Sequence, residues 1–436
     1  MKCYRLVGWI VLLLLAGACA APAVPSPTPT VAPAPATPTV APTPSPTPGK
    51  PLKIGLLTDR SGSLALYGPM LENGFMLGLE YATGGTMEVA GRPIQVIVRD
   101  NASDPEKGVA QARELIEAEG VEILVGAPSS GVTLAVQKVA EEHKVILIAE
   151  PAASPDITGK NFNPYTFRTS RTSVQDALTM GKALIEMGKT FVQIAPDYAF
   201  GHGSARAFYN VVKSLGGRFT INDTPEGAGT IFIPLETTDF TPYLQRVLDA
   251  NAEVLIVTWA GAGFVPLFQQ MQDLGIFQKM TVATGMGDNQ SIASGYASAV
   301  GAVGVSVYHY TLPKNPVNDW LVKRHQEKFG TPPDLFTAGG MAAAIMVVEG
   351  LKKTNGDARA EALIPVFEGM TFQGPKGTYI IRPYDHVALQ PMYLVRLKDP
   401  KDPQFRFFEL IKEFSPEETA PPCMLEGPYQ ERCPKP

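Results

Sequence analysis

Two short stretches rich in hydroxyl and small side chains carry the chemistry that can be read from this chain. Ser129 and Ser130 stand in the run Pro128–Gly131, and Ser154 stands in Pro151–Asp156. Each stretch follows an apolar run, Val121–Gly126 or Val145–Ala149, that is too short for a helix and reads as a buried strand. Between them Val132, Ala135, Val136, Val139 and Ala140 recur at helical spacing. The unit is therefore strand, loop, helix, strand, loop, and both loops open at the carboxyl edge of a parallel sheet, where α/β folds bind ligands. Hydroxyls and free amide N–H groups at helix starts suit a small anion such as a carboxylate. Either loop alone would be an ordinary turn and N-cap. Paired on adjacent strands, they make a site.

The elements that position these loops alternate along the chain. Strands are expected at Lys53–Thr58, Ile94–Val98, Thr190–Ala195, Val254–Thr258 and Met280–Thr284. Helices are expected at Pro69–Ala82, after the Asp104 cap with Pro105 at its first position, and at Ala205–Leu215, Tyr243–Ala250 and Phe264–Leu274. Pro164–Ser170 and Val303–Tyr308 read as extended, and helices near Val317–Phe329 and Thr337–Leu351 follow. The fold class is α/β, with two doubly wound parallel sheets. Roughly 360 globular residues exceed one typical core, so two lobes are the default.

The ends have a different character. Met1–Ala18 carries Lys2 and Arg5, an apolar run from Leu6 to Ala16, and then small residues, which fits a secretory signal. Its end, Leu15–Cys19, resembles the lipobox of bacterial lipoproteins, whose cysteine is lipidated; Cys19 would anchor the protein at a membrane surface without spanning it. Residues 19–51 follow as a tether, with 12 prolines among residues 20–51 and no charge before Lys50. Cys423 and Cys433 lie in a Pro-rich tail, residues 414–436, with no histidine nearby, and a local disulfide is expected in an exported protein. A net charge of −5 argues against nucleic acid as a partner.

Further motifs give the chain a resemblance. KIGLLT at 53–58, LALYG at 64–68, GRPI at 91–94, RDNASDP at 99–105 and GAPSSG at 126–131 stand in order. PAASP at 151–155, FRTS at 167–170, DYAFG at 197–201 and TTDFTP at 237–242 continue them. Over about residues 52–400 the sequence resembles the periplasmic leucine/isoleucine/valine-binding proteins, the type I receptors of ABC transporters. The resemblance implies two lobes joined by three crossovers and closing on a ligand by hinge motion. The crossovers fall on PYTFRTS (164–170), Val305–Thr311 and Phe372–Tyr379, so the lobes are expected at 52–168 plus 308–372 and at 169–307 plus 373–413. It further implies a carboxylate site at Ser130, Ala152 and Ser154, with Ser129 adjacent. Tyr67 and Phe200 match aromatic positions facing the ligand. Phe200 lacks the hydroxyl of the family's tyrosine, and Tyr198 is placed to replace it. Trp259, after a strand and before a Gly-rich turn, is a candidate for the same wall.

One departure bears on the ligand. Amino-acid-binding members hold the ligand's ammonium with an acidic residue, and Met286 stands at that position in ATGMGD (283–288). Asp288 is two residues away. The expected function is thus an extracytoplasmic, lipid-anchored receptor that clamps a small carboxylate and serves membrane permease subunits. Keto, hydroxy or aromatic acids are the candidates, with neutral amino acids as runner-up. The alternative is a receptor of the same fold that senses an amino acid or amide without transport. The five histidines form no metal-ligand spacing, and no GxSxG, HExxH or P-loop is present. Neither an enzyme nor a cofactor is implied.

Overall fold

A computed structural model describes residues 49–435. The first sheet has the order Glu88–Val89, Arg92–Asp100, Leu52–Thr58, Ile123–Val125, Ile146–Ala149, Thr166–Arg168. All its pairings are parallel except that of the short edge strand Glu88–Val89. Its strands are apolar on both sides, as a parallel sheet covered by helices requires. Ile54, Leu56, Ile123 and Ile148 face the helices Gly68–Ala82 and Thr337–Lys353. Leu57, Leu124 and Leu147 pack on the other side against Leu115, Val132 and Val136 of the helices Pro105–Glu117 and Ser130–His143.

The second sheet runs Phe408–Phe414, Met392–Leu397, Val303–Ser306, Thr281–Gly285, Val254–Val257, Thr190–Pro196, Arg218–Phe219, and Thr230–Ile233 also pairs with Thr190–Pro196. The two strands nearest the C-terminus are antiparallel additions. The strand Leu52–Thr58 lies between Arg92–Asp100 and Ile123–Val125. The loops leaving it and its neighbour diverge there to opposite faces, which opens a crevice at the carboxyl edge.

Several elements differ from the sequence expectation. Helix Ser173–Met187 was not expected; a reciprocal capping box between Thr172 and Gln175 starts it. Helix Ala199–Ser214 begins six residues before the expected Ala205, so Phe200 lies in its first turn and Tyr198 at its cap. The third crossing is displaced. Thr371–Gly374, Gly377–Ile381 and Ala388–Leu389 form a small antiparallel sheet. Phe372, Tyr379, Ile381 and Ala388 of that sheet are buried in the core of the first lobe. The expected switch near residue 373 is thus a hairpin of the first lobe, and the chain joins the second sheet only at Met392. The first crossing follows the strand Thr166–Arg168, and the second follows Val303–Ser306.

Candidate functional site

Between the lobes lies a cleft. The first lobe supplies Leu64, Tyr67, Ser130, Pro151, Ala153 and Phe336 to its wall, and the second supplies Asp176, Tyr198, Phe200, Ser204, Trp259 and Met286. Arg171, in the first crossing, lines the same space.

The two serine-bearing loops meet here. Ser130 opens the helix Ser130–His143, and its Oγ accepts the N–H of Ser154 at 3.1 Å, tying one loop to the other. Ser129, the N-cap, turns its hydroxyl to the N–H of Val132 at 3.5 Å. Ser154 caps the short turn Pro155–Ile157 by accepting the N–H of Asp156. Of the residues expected on these loops, Ser130 therefore lines the cleft, with Ala153 beside it. Ser129, Ala152 and Ser154 stand behind that surface, because capping and clamping contacts claim their polar atoms.

The clamp is Arg168, which is fully buried. Its Nη2 donates to the carbonyl of Ala152 at 2.5 Å and its Nη1 to that of Ser154 at 3.0 Å. Further bonds run to the Ser170 carbonyl and the Arg171 carbonyl. An unpaired buried guanidinium would be costly, and four carbonyls compensate it. Burial, reinforced by nearby Arg171, lowers its pKa to about 9. By holding the carbonyls from behind, Arg168 fixes which face of the Pro151–Ser154 loop meets the cleft.

Arg171 was not singled out from the sequence. Its Nε lies 3.3 Å from Asp176 Oδ1, its Nη2 3.3 Å from Asp176 Oδ2, and its Nη1 3.4 Å from the Pro151 carbonyl. These are long bonds, and the guanidinium keeps donors for a ligand in the cleft. Burial raises the Asp176 pKa, and Arg171 opposes that rise. The signal that could have found Arg171 is its place one residue before a Thr-x-x-Gln capping box, at a lobe crossing.

The remaining wall is apolar and aromatic. Tyr67 meets Phe336 edge-on at 4.8 Å, and Trp259 meets Phe240 edge-on at 5.1 Å. Tyr198 and Phe200 are 6.0 Å apart. Burial raises the pKa of the Tyr67 phenol, which accepts the N–H of Gly261 from the opposite lobe at 2.8 Å. Gly261 has φ +76°, and a Cβ there would sit 2.3 Å from the Ser63 carbonyl. Only glycine allows this approach. The lobes also touch where Asn289 N–H donates to Asp334 at 3.0 Å and where Arg206 meets Asp156 at 3.0 Å. The lobes are thus closed on each other.

Met286 lines the cleft, as aligned. Asp288 does not reach it: the residue is fully buried and caps the helix Asn289–Gly295 through Ser291 N–H. Cys423 and Cys433 are joined as a disulfide. Cys19 lies outside the described residues.

Two α/β lobes closed over a cleft that combines a cation, hydroxyls and aromatic rings define a receptor for a small molecule. Residues 51–402 match the family model described as periplasmic binding protein, and the chain belongs to that family. It is similar to the Leu/Ile/Val-binding protein homolog 6 of Brucella melitensis, at 26% identity over 351 residues, covering 79% of this chain and 86% of that one. A crystal structure of an ABC-type branched-chain amino acid transporter from Rhodopseudomonas palustris CGA009 is 39% identical with a TM-score of 0.72, over 86% of this chain and 100% of that chain. A solute binding protein of an ABC transporter from Rhodopseudomonas palustris BisB5, in complex with 3,4-dihydroxybenzoic acid, is 26% identical with a TM-score of 0.74, over 84% and 97%. The fold is that of type I periplasmic binding proteins, and the protein is a substrate-binding protein of the branched-chain amino acid class of ABC transporters. Proteins of this class act outside the cytoplasm with membrane permeases.

Proposed function

We propose that the cleft binds a small carboxylic acid with an apolar or aromatic body and no required α-amine, for delivery to a permease. Arg171 carries this reading: it is the cation in an otherwise largely apolar cleft, beside the Ser130 hydroxyl and the Ala153 loop. A carboxylate there would take charge-assisted hydrogen bonds from the guanidinium and from Ser130, while its body rests among Tyr67, Phe200, Trp259 and Met286. An ammonium fares worse. Met286 carries no charge, Asp288 is turned into its own helix cap, and Asp176 faces Arg171 with both oxygens. A desolvated ammonium left without a partner costs several kcal/mol, and about 1.4 kcal/mol is tenfold in affinity. The similar protein in complex with 3,4-dihydroxybenzoic acid supports an aromatic acid. Lipidation at Cys19, with residues 20–51 as tether, would hold the receptor at the outer face of the membrane.

The test is calorimetric titration with benzoate, with 4-methyl-2-oxopentanoate, and with leucine and phenylalanine. The acids without an amine are expected to bind more tightly. Tighter binding of the amino acids by about tenfold or more would mean that Asp176 leaves Arg171 for the ammonium, and the reading fails.

A further inference from the structure

The Cys-Pro tail lies past residue 402, where the family match ends. It leaves the second lobe at the end of the strand Phe408–Phe414, whose last residue pairs with Met392, the first residue after the third crossing. The tail therefore starts at the hinge. Lys412 and Glu418 still tie it to the second lobe at 2.8 Å. From there it returns to the first lobe and is fastened. Arg382, buried and paired with Asp385, donates to the Pro421 carbonyl at 2.5 Å. Arg432 donates to Glu368 at 2.5 Å and to the Tyr384 carbonyl at 3.0 Å, and lies over the Phe162 ring. Thr419 and Leu425 are buried. The Cys423–Cys433 bond closes the loop that carries these contacts.

We infer that residues 415–435 form a fourth bridge between the lobes, a disulfide-closed clasp that limits how far the ligand-free receptor opens. Three crossings are flexible joints about which lobes swing. A fourth span joined to the second lobe's last strand and clasped on the first must stretch or detach when they part. Its free length is short, because the Pro421 carbonyl is already held seven residues after Phe414. Pro422 and Met424 also close a groove against Val174 and Val211 of the second lobe and Pro155 of the first. Opening changes the distance between those walls. The disulfide fixes the clasp in its docked shape, so docking loses less conformational freedom, and it persists in an oxidising compartment.

The experiment measures the distance distribution between genetically encoded spin labels at exposed Lys138 on the first lobe and Gln269 on the second, with no ligand present. Wild type is compared with Cys423→Ser/Cys433→Ser, with Arg432→Ala, and with the triple variant. Hydrogen exchange over residues 415–435 reports release of the clasp. The expected result is a shift to longer distances in the first two variants, largest in the triple, together with loss of exchange protection in the tail. An unchanged distribution in a triple variant whose tail has lost protection overturns the proposal. So does a tail that stays protected in all three, since these contacts would then not be the clasp. Should the triple variant fail to fold, reduction of the wild-type disulfide under native conditions supplies the same two readouts.

Discussion

Replacing Arg171 separates recognition from folding if its partner is changed with it. Arg171→Met removes the cation from the cleft and leaves Asp176 buried without one. Breaking a buried pair in this way costs about 3–5 kcal/mol of stability, so the single variant would report on folding as much as on binding. Arg171→Met/Asp176→Asn removes both charges at once and is expected to be far milder, because nothing charged stays stranded. Its effect on the ligand persists. Hydrogen bonds to a charged group contribute about 1.5–3 kcal/mol, so loss of the guanidinium contact should weaken benzoate or 4-methyl-2-oxopentanoate by about 10- to 150-fold. Arg171→Lys keeps the charge without the planar fork and should fall between. Calorimetric titration gives the affinities, and thermal melts on the same samples give the stability. If the double variant binds benzoate within about threefold of wild type, or if benzamide binds wild type as well as benzoate does, Arg171 is not the carboxylate anchor.

Other perturbations probe closure, electrostatics and location. Gly261→Ala forces a Cβ toward the Ser63 carbonyl at a left-handed φ; ligand affinity should fall because only the closed form suffers that contact across the lobes, which titration checks. Asp334 has its pKa raised from 3.8 to about 7 by burial first and then by nearby Asp288. Its contribution to stability is therefore fully present below about pH 4 and lost as pH rises through about 7, at most ~1.4 kcal/mol per pH unit. Asp334→Asn should flatten the melting temperature over that window, leaving a residual slope of the same sign from Glu150, whose pKa burial raises to about 7. Cys19→Ser should move the protein from the membrane fraction to the soluble one; a variant that stays with the membrane, beside a wild type that carries no lipid by mass, contradicts the anchor.

The parts of this fold that the sequence made legible are those set by local patterning. Short apolar runs ending in small or hydroxyl residues gave the strand end Ala149 and, one residue late at Gly126, the strand end Val125, and with them the two loops that reach the cleft. Which loop residue faces the ligand is decided from further away. Ser154 and Ala152 have the same local credentials as Ser130, yet Arg168 and the turn at Asp156 occupy their polar atoms. Composition along a loop cannot show that competition, because the competing donor arrives from the next strand.

Arg171 shows the same limit from the other side. Its meaning comes from three contacts that assemble only on folding: the Pro151 carbonyl, Asp176 one turn into an unexpected helix, and a cleft wall completed by Met286 and Phe336. The run FRTSR gives two arginines three apart by type alone, Arg168 and Arg171 being separated by Thr169 and Ser170. One is consumed by four backbone carbonyls and cannot bind anything else, whereas the other meets a carboxylate through long bonds and faces open space. What distinguishes a structural from a recognising cation is thus the number of donors already committed, and that number is a property of the assembled hinge.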